Sequence, residues 1–272
     1  MNVDHLLPAD GFNRLARARE GAVLYNHNDM FVGAAIEKYG EYSEIEAQML
    51  RGLVKPGSVV VEVGANLGTH TLVLARAVGP HGFVYAYEPQ RVVFQTLCAN
   101  LALNSVTHVD ARHAAAGDQN GVVLLPDFDY TGHHNYGVIA ANGFTHGRKV
   151  RKVRLDDDLA LAKLRLIKID VEGMELEVLS GAEALISVHR PILYVENDRV
   201  EKSAALISHI AERGYRLYWH LPPLFNPENW NRVEENIWPN IVSVNMLCLP
   251  REMEQSVEGS EITTADEHPL RR

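Results

Sequence analysis

Acidic residues stand at the ends of several strand-like runs in this 272-residue sequence. Glu62 lies within the β-branched run 59–63, Glu88 ends the next run, and Asp170 ends a third run at 164–169. A carboxylate in such apolar surroundings is costly unless it has a partner. These three residues are therefore the first candidates for binding or catalysis.

Two glycines, Gly64 and Gly68, follow the first run with Asn66 between them. Glycine lets the backbone turn sharply and approach a ligand where a Cβ atom would clash. An apolar helical pattern begins at Thr71, and the free N–H groups of such a helix would face whatever lies over the turn. The pattern predicts a nucleotide-sized site at the carboxyl end of a central parallel strand. An ordinary strand–turn–helix is the alternative.

The spacing favours S-adenosylmethionine over a nicotinamide dinucleotide. The dinucleotide fingerprint G-x-G-x-x-G needs three glycines, whereas position 66 is Asn and no third glycine follows. The ammonium group of S-adenosylmethionine would be a partner for Glu62, and Glu88 could accept hydrogen bonds from both ribose hydroxyls. Asp118, at a later strand end, could meet the adenine amino group, although such an Asp also forms turns without a ligand.

Length, charge and cysteine content narrow the class of protein. A chain of 272 residues can bury a substantial core as one large or two small domains. Its net charge of −9 argues against a nucleic-acid partner. The sequence has no 18-residue apolar run and no signal-peptide pattern, which predicts a cytoplasmic protein without a membrane partner. Cys98 and Cys248 lie in apolar segments and are expected to be buried thiols.

Strand and helix patterns alternate through most of the chain, which is typical of a doubly wound parallel α/β sheet. The predicted strands are 58–63, 83–87, 106–114, 164–170, 191–196, 215–220 and 241–249, and the predicted helices are 69–78, 90–103, 171–188 and 200–213. An insertion at about 121–155 interrupts the alternation, and insertions of this kind usually carry specificity.

The two ends of the chain differ from this core. Residues 1–54 contain helical patterns on both sides of Gly40, and we expect this N-terminal helical segment to cover the cofactor site. Within it, Ser43 and Glu46 have the spacing of a capping box. Residues 251–272 are polar and unpatterned, so we expect a disordered tail.

Three stretches, taken in order, resemble the FkbM family of S-adenosylmethionine-dependent methyltransferases. They are Glu62-Val63-Gly64-Ala65-Asn66-Leu67-Gly68, then Tyr87-Glu88-Pro89, then Lys168-Ile169-Asp170-Val171-Glu172-Gly173-Met174-Glu175 with Leu179-Ser180-Gly181-Ala182. The resemblance covers about residues 40–215. The first strand of that family more often ends in Asp, so Glu62 is a conservative departure.

The resemblance implies a Rossmann-like, seven-stranded methyltransferase fold with an antiparallel last strand, here in residues 55–250. It also implies methyl transfer to a hydroxyl of a sugar, polyketide or other small metabolite. Cofactor positions fall on Glu62, Gly64, Asn66, Gly68 and Glu88, and Asp170 falls beside the methyl group. A catalytically inactive partner subunit and a nicotinamide-dependent oxidoreductase are the alternatives, and a homodimer is compatible with the sequence.

Two further predictions concern catalysis. His134, beside His133 in the insertion, could remove the acceptor proton, or both could be solvated loop residues. Asp170 ends the fourth strand, and Glu196 and Asn197 end the fifth, so their oxygens could form a half-shell for Mg²⁺. Such an ion would lower the pKa of the acceptor hydroxyl, a layout similar to that of catechol-type O-methyltransferases. The same acids could instead hold the cofactor ammonium and cap helices.

Overall fold

The N-terminal part of the chain forms a hairpin followed by two helices. The computed structural model describes residues 7–137, 143–254, 257 and 259–271. The first elements are β1 (Asn13–Ala18), β2 (Gly21–Asn26), α1 (Val32–Tyr39) and α2 (Glu44–Leu53). Gly40 ends α1 with a left-handed φ of 68°, at the predicted stop. The antiparallel pair β1–β2 was not predicted, so residues 1–54 are not a purely helical segment.

Alternating strands and helices follow as the core. In chain order they are β3 (Val59–Val63), α3 (Thr69–Val78), β4 (Phe83–Tyr87), α4 (Arg91–Leu103), β5 (Val109–Arg112), β6 (Ala115–Ala116), β7 (Gly121–Leu125), β8 (Arg148–Val153), α5 (Leu155–Asp158), β9 (Leu166–Ile169), α6 (Glu175–Ser180), α7 (Glu183–His189), β10 (Ile192–Glu196), α8 (Val200–Glu212), β11 (Tyr215–His220) and β12 (Asn245–Pro250).

Seven strands form one sheet in the order β11-β12-β10-β9-β3-β4-β5. Strand β3 pairs in parallel with both β4 and β9, and β10 pairs in parallel with β9. Strand β12 is antiparallel to its neighbours β10 and β11. The predicted seven-stranded, doubly wound sheet with an antiparallel last strand is confirmed. Because the parallel strands run in one direction, their carboxyl ends meet at one edge.

Two predicted elements are broken in the structure. The strand expected over 106–114 is shorter, and the chain then leaves the main sheet so that β6 joins β7 and β8 in a separate three-stranded sheet. The helix expected over 171–188 begins only at Glu175 and is split into α6 and α7. Its first residues cannot be helical because Glu172 and Gly173 have positive φ values of 59° and 96°. Residues 138–142 of the predicted insertion lie outside the described residues.

The tail is not disordered where the structure describes it. Ile262 is buried, and its N–H donates to the Leu217 carbonyl of β11 at 2.8 Å. His268 Nε2 lies 2.8 Å from the carbonyl oxygen of Asn197. Two anchor residues in an otherwise polar segment are enough to fix it, and composition alone did not reveal them.

The β11–β12 connection (residues 221–244) packs against the N-terminal helices. The Tyr39 hydroxyl donates to the Glu235 carbonyl and accepts from the Ile237 N–H, both at 2.9 Å. Phe31 stacks on Trp238 with ring centroids 5.8 Å apart. These contacts join two segments that are far apart in the sequence into one apolar cluster.

The Glu41 carboxylate adds hydrogen bonds and an ion pair between the N-terminal part of the chain and the β11–β12 connection. It accepts hydrogen bonds from the Asn226 amide and the Trp230 N–H, each at 2.8 Å. It also pairs with Arg19 at 2.8 Å. Buried charges are tolerated when they are satisfied in this way, so the connection is held in a defined position.

Among the described residues, no helix has both the length and the apolarity needed to cross a membrane. Both cysteines are free thiols, but only Cys248 is buried, since Cys98 lies on the exposed face of α4. The prediction of two buried thiols is therefore wrong for Cys98. The cytoplasmic location and the homodimer stay predictions.

Candidate functional site

A cavity of about 410 Å³ lies over the carboxyl ends of β3, β4, β9 and β10. Six of the predicted site residues line this main cavity, namely Glu62, Gly64, Asn66, Glu88, Asp170 and Glu196. Four others, Gly68, Asp118, His134 and Asn197, are not part of its lining. The strand-end acids are thus brought together as the parallel sheet requires.

The turn after β3 depends on glycine. Gly64 has a φ of 84°, and a Cβ atom there would lie 1.8 Å from the Asp170 carbonyl oxygen. Gly68 begins α3 with a φ of 93°, and its Cβ would lie 2.6 Å from Leu97 Cδ1. Both positions therefore exclude larger residues. The turn brings the end of β3 directly against the end of β9.

Glu88 is buried and held by its neighbours. One carboxylate oxygen accepts from the Asn66 N–H at 3.0 Å, and the other accepts from the Gln90 N–H at 2.7 Å. Burial raises the pKa of Glu88 to about 7, although these two N–H groups favour the ionised form. A carboxylate has about four acceptor sites, so Glu88 can still accept two hydrogen bonds from a ligand.

Glu62 is completely buried and only half satisfied. Its Oε2 atom accepts from the Thr71 hydroxyl at 2.6 Å, while Oε1 has no partner among the described residues. Burial raises the pKa of Glu62 to about 7 against the opposing influence of Lys168. An unsatisfied buried acceptor is costly, so Oε1 is suited to a ligand with a strong hydrogen-bond donor.

Lys168 is a site residue to which the sequence analysis assigned no role. It is 2% exposed, and its Nζ atom donates to Asp170 Oδ2 at 3.0 Å. In the sheet register it is the partner of Glu62 on the neighbouring strand. Burial alone would lower the pKa of Lys168, but Asp170, Glu46 and Glu62 raise it above its ordinary value. A lysine inside an apolar run was the available signal, since buried lysines require carboxylate partners.

Glu46 lines the main cavity instead of completing a helix cap. The Ser43 hydroxyl donates to the Glu46 carboxylate at 3.1 Å, and α2 has no side-chain cap. The predicted capping box is therefore wrong.

His70 is a buried neighbour of this carboxylate, since Glu46 lies 3.8 Å from His70 Nδ1. Burial lowers the pKa of His70 to about 3, so the imidazole is neutral at physiological pH.

Three carboxylates form the acid cluster, defined here as Asp170, Glu172 and Glu196. One oxygen from each lies within 4.8 Å of the others. Burial would raise the pKa of Asp170, but Lys168 holds it below its ordinary value. Burial and the charge of Asp170 raise the pKa of Glu196 well above its ordinary value, and its Oε2 atom is buried without a partner. Two neighbouring carboxylates titrate as a pair with separated pKa values.

Glu172 occupies the place that the sequence analysis gave to Asn197. Burial and Asp170 raise the pKa of Glu172 to about 8, and its carboxylate accepts from Arg199 at 2.6 Å. Asn197 is instead buried in the fold, where its amide nitrogen donates to the Ser203 hydroxyl at 3.0 Å. The structure therefore brings Asp170 and Glu196 together, but with Glu172 as the third group.

Asp118 and His134 lie outside the main cavity. The exposed Asp118 carboxylate pairs with Lys152 at 2.9 Å. The exposed His134 contributes a backbone carbonyl that accepts from the Met30 N–H at 3.1 Å. Gln90, which lines the main cavity next to Glu88, has a buried Oε1 atom without a partner among the described residues. Its Nε2 atom donates to the Tyr136 carbonyl at 2.5 Å. Gln90 was missed because nothing in the sequence around it marks a polar buried residue.

The residues of the main cavity fit S-adenosylmethionine. Glu62 Oε1, Glu88 and Gln90 Oε1 are acceptors with unused capacity in one cavity. The cofactor offers donors in its ammonium group, its ribose hydroxyls and its adenine amino group. A cavity of about 410 Å³ is within the usual range for such ligands.

Known proteins carry the same sequence pattern. Residues 62–217, more than half of the chain, match the profile of the Methyltransferase FkbM domain. The hexuronic acid methyltransferase AglP of Haloferax volcanii is 30% identical over 146 residues, which cover 50% of this chain and 55% of that protein. Methyltransferase 1 of Beauveria bassiana is 29% identical over 147 residues, covering 46% of this chain and 59% of that protein.

The 31-O-demethyl-FK506 methyltransferase FkbM of Streptomyces tacrolimicus is 30% identical over 162 residues, covering 48% of this chain and 61% of that protein. The matches therefore span less than two thirds of these relatives. A crystal structure of methyltransferase FkbM from Methylobacillus flagellatus aligns with a TM-score of 0.49 and 21% identity, over 72% of this chain and 45% of that chain. On the extent of the profile match, this chain belongs to the FkbM methyltransferase family.

Proposed function

We propose that this protein is an S-adenosylmethionine-dependent O-methyltransferase that acts on a hydroxyl of a small metabolite, sugar or glycan. The observation that carries the proposal is the pair Asp170 and Glu196, which lies in the same cavity as the cofactor acceptors Glu62 and Glu88. Lys168 holds the pKa of Asp170 below its ordinary value, so Asp170 is ionised and can accept a hydrogen bond or a proton from an acceptor hydroxyl.

The cofactor would be held by residues at the carboxyl ends of two neighbouring strands, β3 and β4. Glu62 would accept from its ammonium group, Glu88 from the ribose hydroxyls and Gln90 from the adenine amino group. When bound, the cofactor supplies an electrophilic methyl group on a sulfonium sulfur. Gly64 lines the same cavity, and its lack of a side chain leaves room for the Asp170 carbonyl against the turn.

The acid pair would bind and deprotonate the acceptor. Lys168 keeps Asp170 ionised, and the neighbouring Glu196 Oε2 has no other partner in the described residues. The acceptor hydroxyl would donate its hydrogen bond to Asp170 and pass its proton to that carboxylate. Its oxygen would bond to the methyl carbon as the C–S bond of the sulfonium breaks and the sulfur keeps the bonding electrons. Positioning of the oxygen and removal of its proton are the contributions that the protein makes to such a reaction.

Apolar residues complete the acceptor side of the main cavity. Phe31 and Tyr42 come from the N-terminal segment, and Leu224 and residues 241–244 come from the β11–β12 connection. The names of two relatives, a hexuronic acid methyltransferase and a 31-O-demethyl-FK506 methyltransferase, support a glycan or small-molecule acceptor.

Mg²⁺ is a weaker proposal on this geometry. Two members of the acid cluster already have cationic partners, since Asp170 pairs with Lys168 and Glu172 pairs with Arg199. Little negative charge is therefore left for a divalent ion, and we expect turnover to survive exhaustive EDTA treatment. Activity that is lost on chelation and restored by Mg²⁺ or Mn²⁺ would favour a metal-dependent reaction over the metal-free one.

The test is methyl transfer from labelled S-adenosylmethionine to a panel of hydroxylated sugars and metabolites. Each acceptor is paired with its analogue in which the hydroxyl is already methylated. We expect labelled product from the free hydroxyl and none from the blocked analogue. Label on nitrogen or carbon, or cofactor binding without turnover of any acceptor in the panel, would contradict the proposal.

A further inference from the structure

A second cavity of about 330 Å³ lies beside the main cavity. Its walls are the start of α4, the β7–β8 hairpin and the segment that leaves β7, and it shares Pro89 and Gln90 with the main cavity. None of the acid-cluster residues lines it. The proposed methyl transfer therefore gives this cavity no role.

The second cavity is basic within an acidic protein. Arg91, Arg148 and Lys149 line it, and Asp127 is the only acidic residue among the described residues of its lining. Asp127 is paired with Arg148, whereas Arg91 and Lys149 have no ion-pair partner among the described residues. The whole chain carries a net charge of −9. The local excess of positive charge in this cavity would therefore attract an anion.

Aromatic side chains supply an apolar surface in the same cavity. Phe128 and Tyr130 both line the second cavity, with ring centroids 6.1 Å apart. The carbonyl of Tyr130 accepts from the Asn26 amide at 2.8 Å, and its ring stacks on Tyr136 at 5.1 Å. Ligand cavities commonly combine such apolar surfaces with a few convergent polar groups.

We propose that the second cavity binds an anionic sugar. The ring would lie against Phe128 and Tyr130, and a carboxylate or phosphate on the sugar would pair with Arg91 and Lys149. Guanidinium and ammonium groups form charge-assisted hydrogen bonds with either anion. The two anions differ in charge and shape, so binding measurements can tell which one the site prefers.

The test is calorimetry at low ionic strength with four probes, namely glucuronate, glucose 6-phosphate, glucose and inorganic phosphate. We expect one or both anionic sugars to bind at least about tenfold more tightly than glucose and inorganic phosphate. Only the anionic sugars can contact the aromatic rings and pair with the cations at the same time. The better of the two identifies the anion. Glucose that binds as tightly as both anionic sugars, or phosphate that binds as tightly as glucose 6-phosphate and more tightly than glucuronate, would overturn the proposal.

Two double variants test whether the anionic sugars bind in this cavity. Arg91→Ala with Lys149→Ala should weaken the anionic sugars by about tenfold or more. The matched control is Arg17→Ala with Lys55→Ala, which removes the same charge from exposed positions outside the second cavity. Equal weakening in both double variants would show attraction to net charge only and would refute the site. Cofactor binding, measured on the same samples, reports separately on the proposed enzyme.

Discussion

The proposed cofactor side and the proposed acceptor side of the main cavity are built in different ways. On the proposed cofactor side Glu88 is held by the N–H groups of Asn66 and Gln90, which lie on the turns after β3 and β4. On the acceptor side the wall combines residues from the N-terminal helices and the β11–β12 connection. One side is fixed by local backbone geometry and the other by long-range packing.

This difference also appears in the acids. Glu88 has both oxygens occupied by backbone donors, whereas Asp170 accepts from the Lys168 side chain and lies beside Glu196. Backbone donors fix the geometry of Glu88, and the Lys168 ammonium keeps Asp170 ionised and able to accept a hydrogen bond or a proton. We therefore expect changes on the two sides to affect different measurable quantities.

The largest expected effect is on turnover. Asp170→Asn removes the ionised member of the acid pair and leaves Lys168 without its nearest carboxylate. The kcat value should fall by about 10²–10⁴, which is the usual contribution of a positioned acid or base. Cofactor affinity, measured by calorimetry, should change far less. An unchanged kcat would show that the acid pair does not receive the acceptor proton.

Glu88→Ala should act on cofactor affinity instead. Two charge-assisted hydrogen bonds, each worth about 1.5–3 kcal/mol, would be lost, so the Kd for S-adenosylmethionine should rise by at least about a hundredfold. Glu88→Gln, which keeps an acceptor of similar shape, should cost less. Calorimetry that finds normal cofactor affinity in Glu88→Ala would remove Glu88 from the cofactor site.

Cofactor affinity and the stability of the ligand-free protein should change in opposite directions as the pH rises. Because burial raises the pKa values of Glu62 and Glu88 to about 7 from an ordinary 4.5, both ionise late, and cofactor affinity should increase from pH 6 to pH 8. The stability of the ligand-free protein should move the other way. Raised pKa values stabilise the fold below pH 4.5, and this contribution, up to about 3 kcal/mol per residue, is lost as the pH rises through 7.

The control for the pH series is Glu62→Gln, which cannot ionise at position 62. Urea unfolding at several pH values should show a smaller loss of unfolding free energy between pH 5 and pH 8 in this variant than in the wild type. Parallel curves for the two proteins would mean that the pKa of Glu62 is not raised in the folded state.

The smallest effects are expected at Asp118 and His134. Both are exposed and lie outside the main cavity, so Asp118→Asn and His134→Gln should each change Kd, KM and kcat by less than about twofold. A larger loss of cofactor affinity in Asp118→Asn would restore the predicted contact with adenine. A large fall in kcat in His134→Gln would restore the predicted base.

The sequence was informative for three acids at strand ends, although Asp118, also predicted at a strand end, lies outside the main cavity. Glu62, Glu88 and Asp170 could be placed together because the carboxyl ends of parallel strands share one edge. Side-chain direction was the missing information for Asn197. Successive strand residues point to opposite faces, so when Glu196 faces the main cavity the residue after it turns into the fold. By the same rule Lys168 and Asp170 share a face, which the sequence analysis did not use.

Contacts between distant segments could not be predicted in the same way. The pairing of Glu41 with Asn226 and Trp230 leaves no periodic signal in either segment. The local β1–β2 hairpin was missed because its strands do not alternate strictly between apolar and polar residues, but the anchoring of the tail by Ile262 was missed for the same reason as the Glu41 contacts. Each depends on a few residues whose partners are known only from the folded chain.

The ties between α1 and the β11–β12 connection have a practical consequence for exchanging parts between family members. Tyr39 and Glu41 hold residues 226–237 through five hydrogen bonds, four of them to their side chains, and an apolar cluster. Neither segment therefore has its native surroundings without the other. A chimaera that imports the connection alone would meet a foreign partner at every one of these contacts. Residues 31–44 and 221–244 should therefore be transplanted as one cassette, while the sheet and its glycine turn stay with the host.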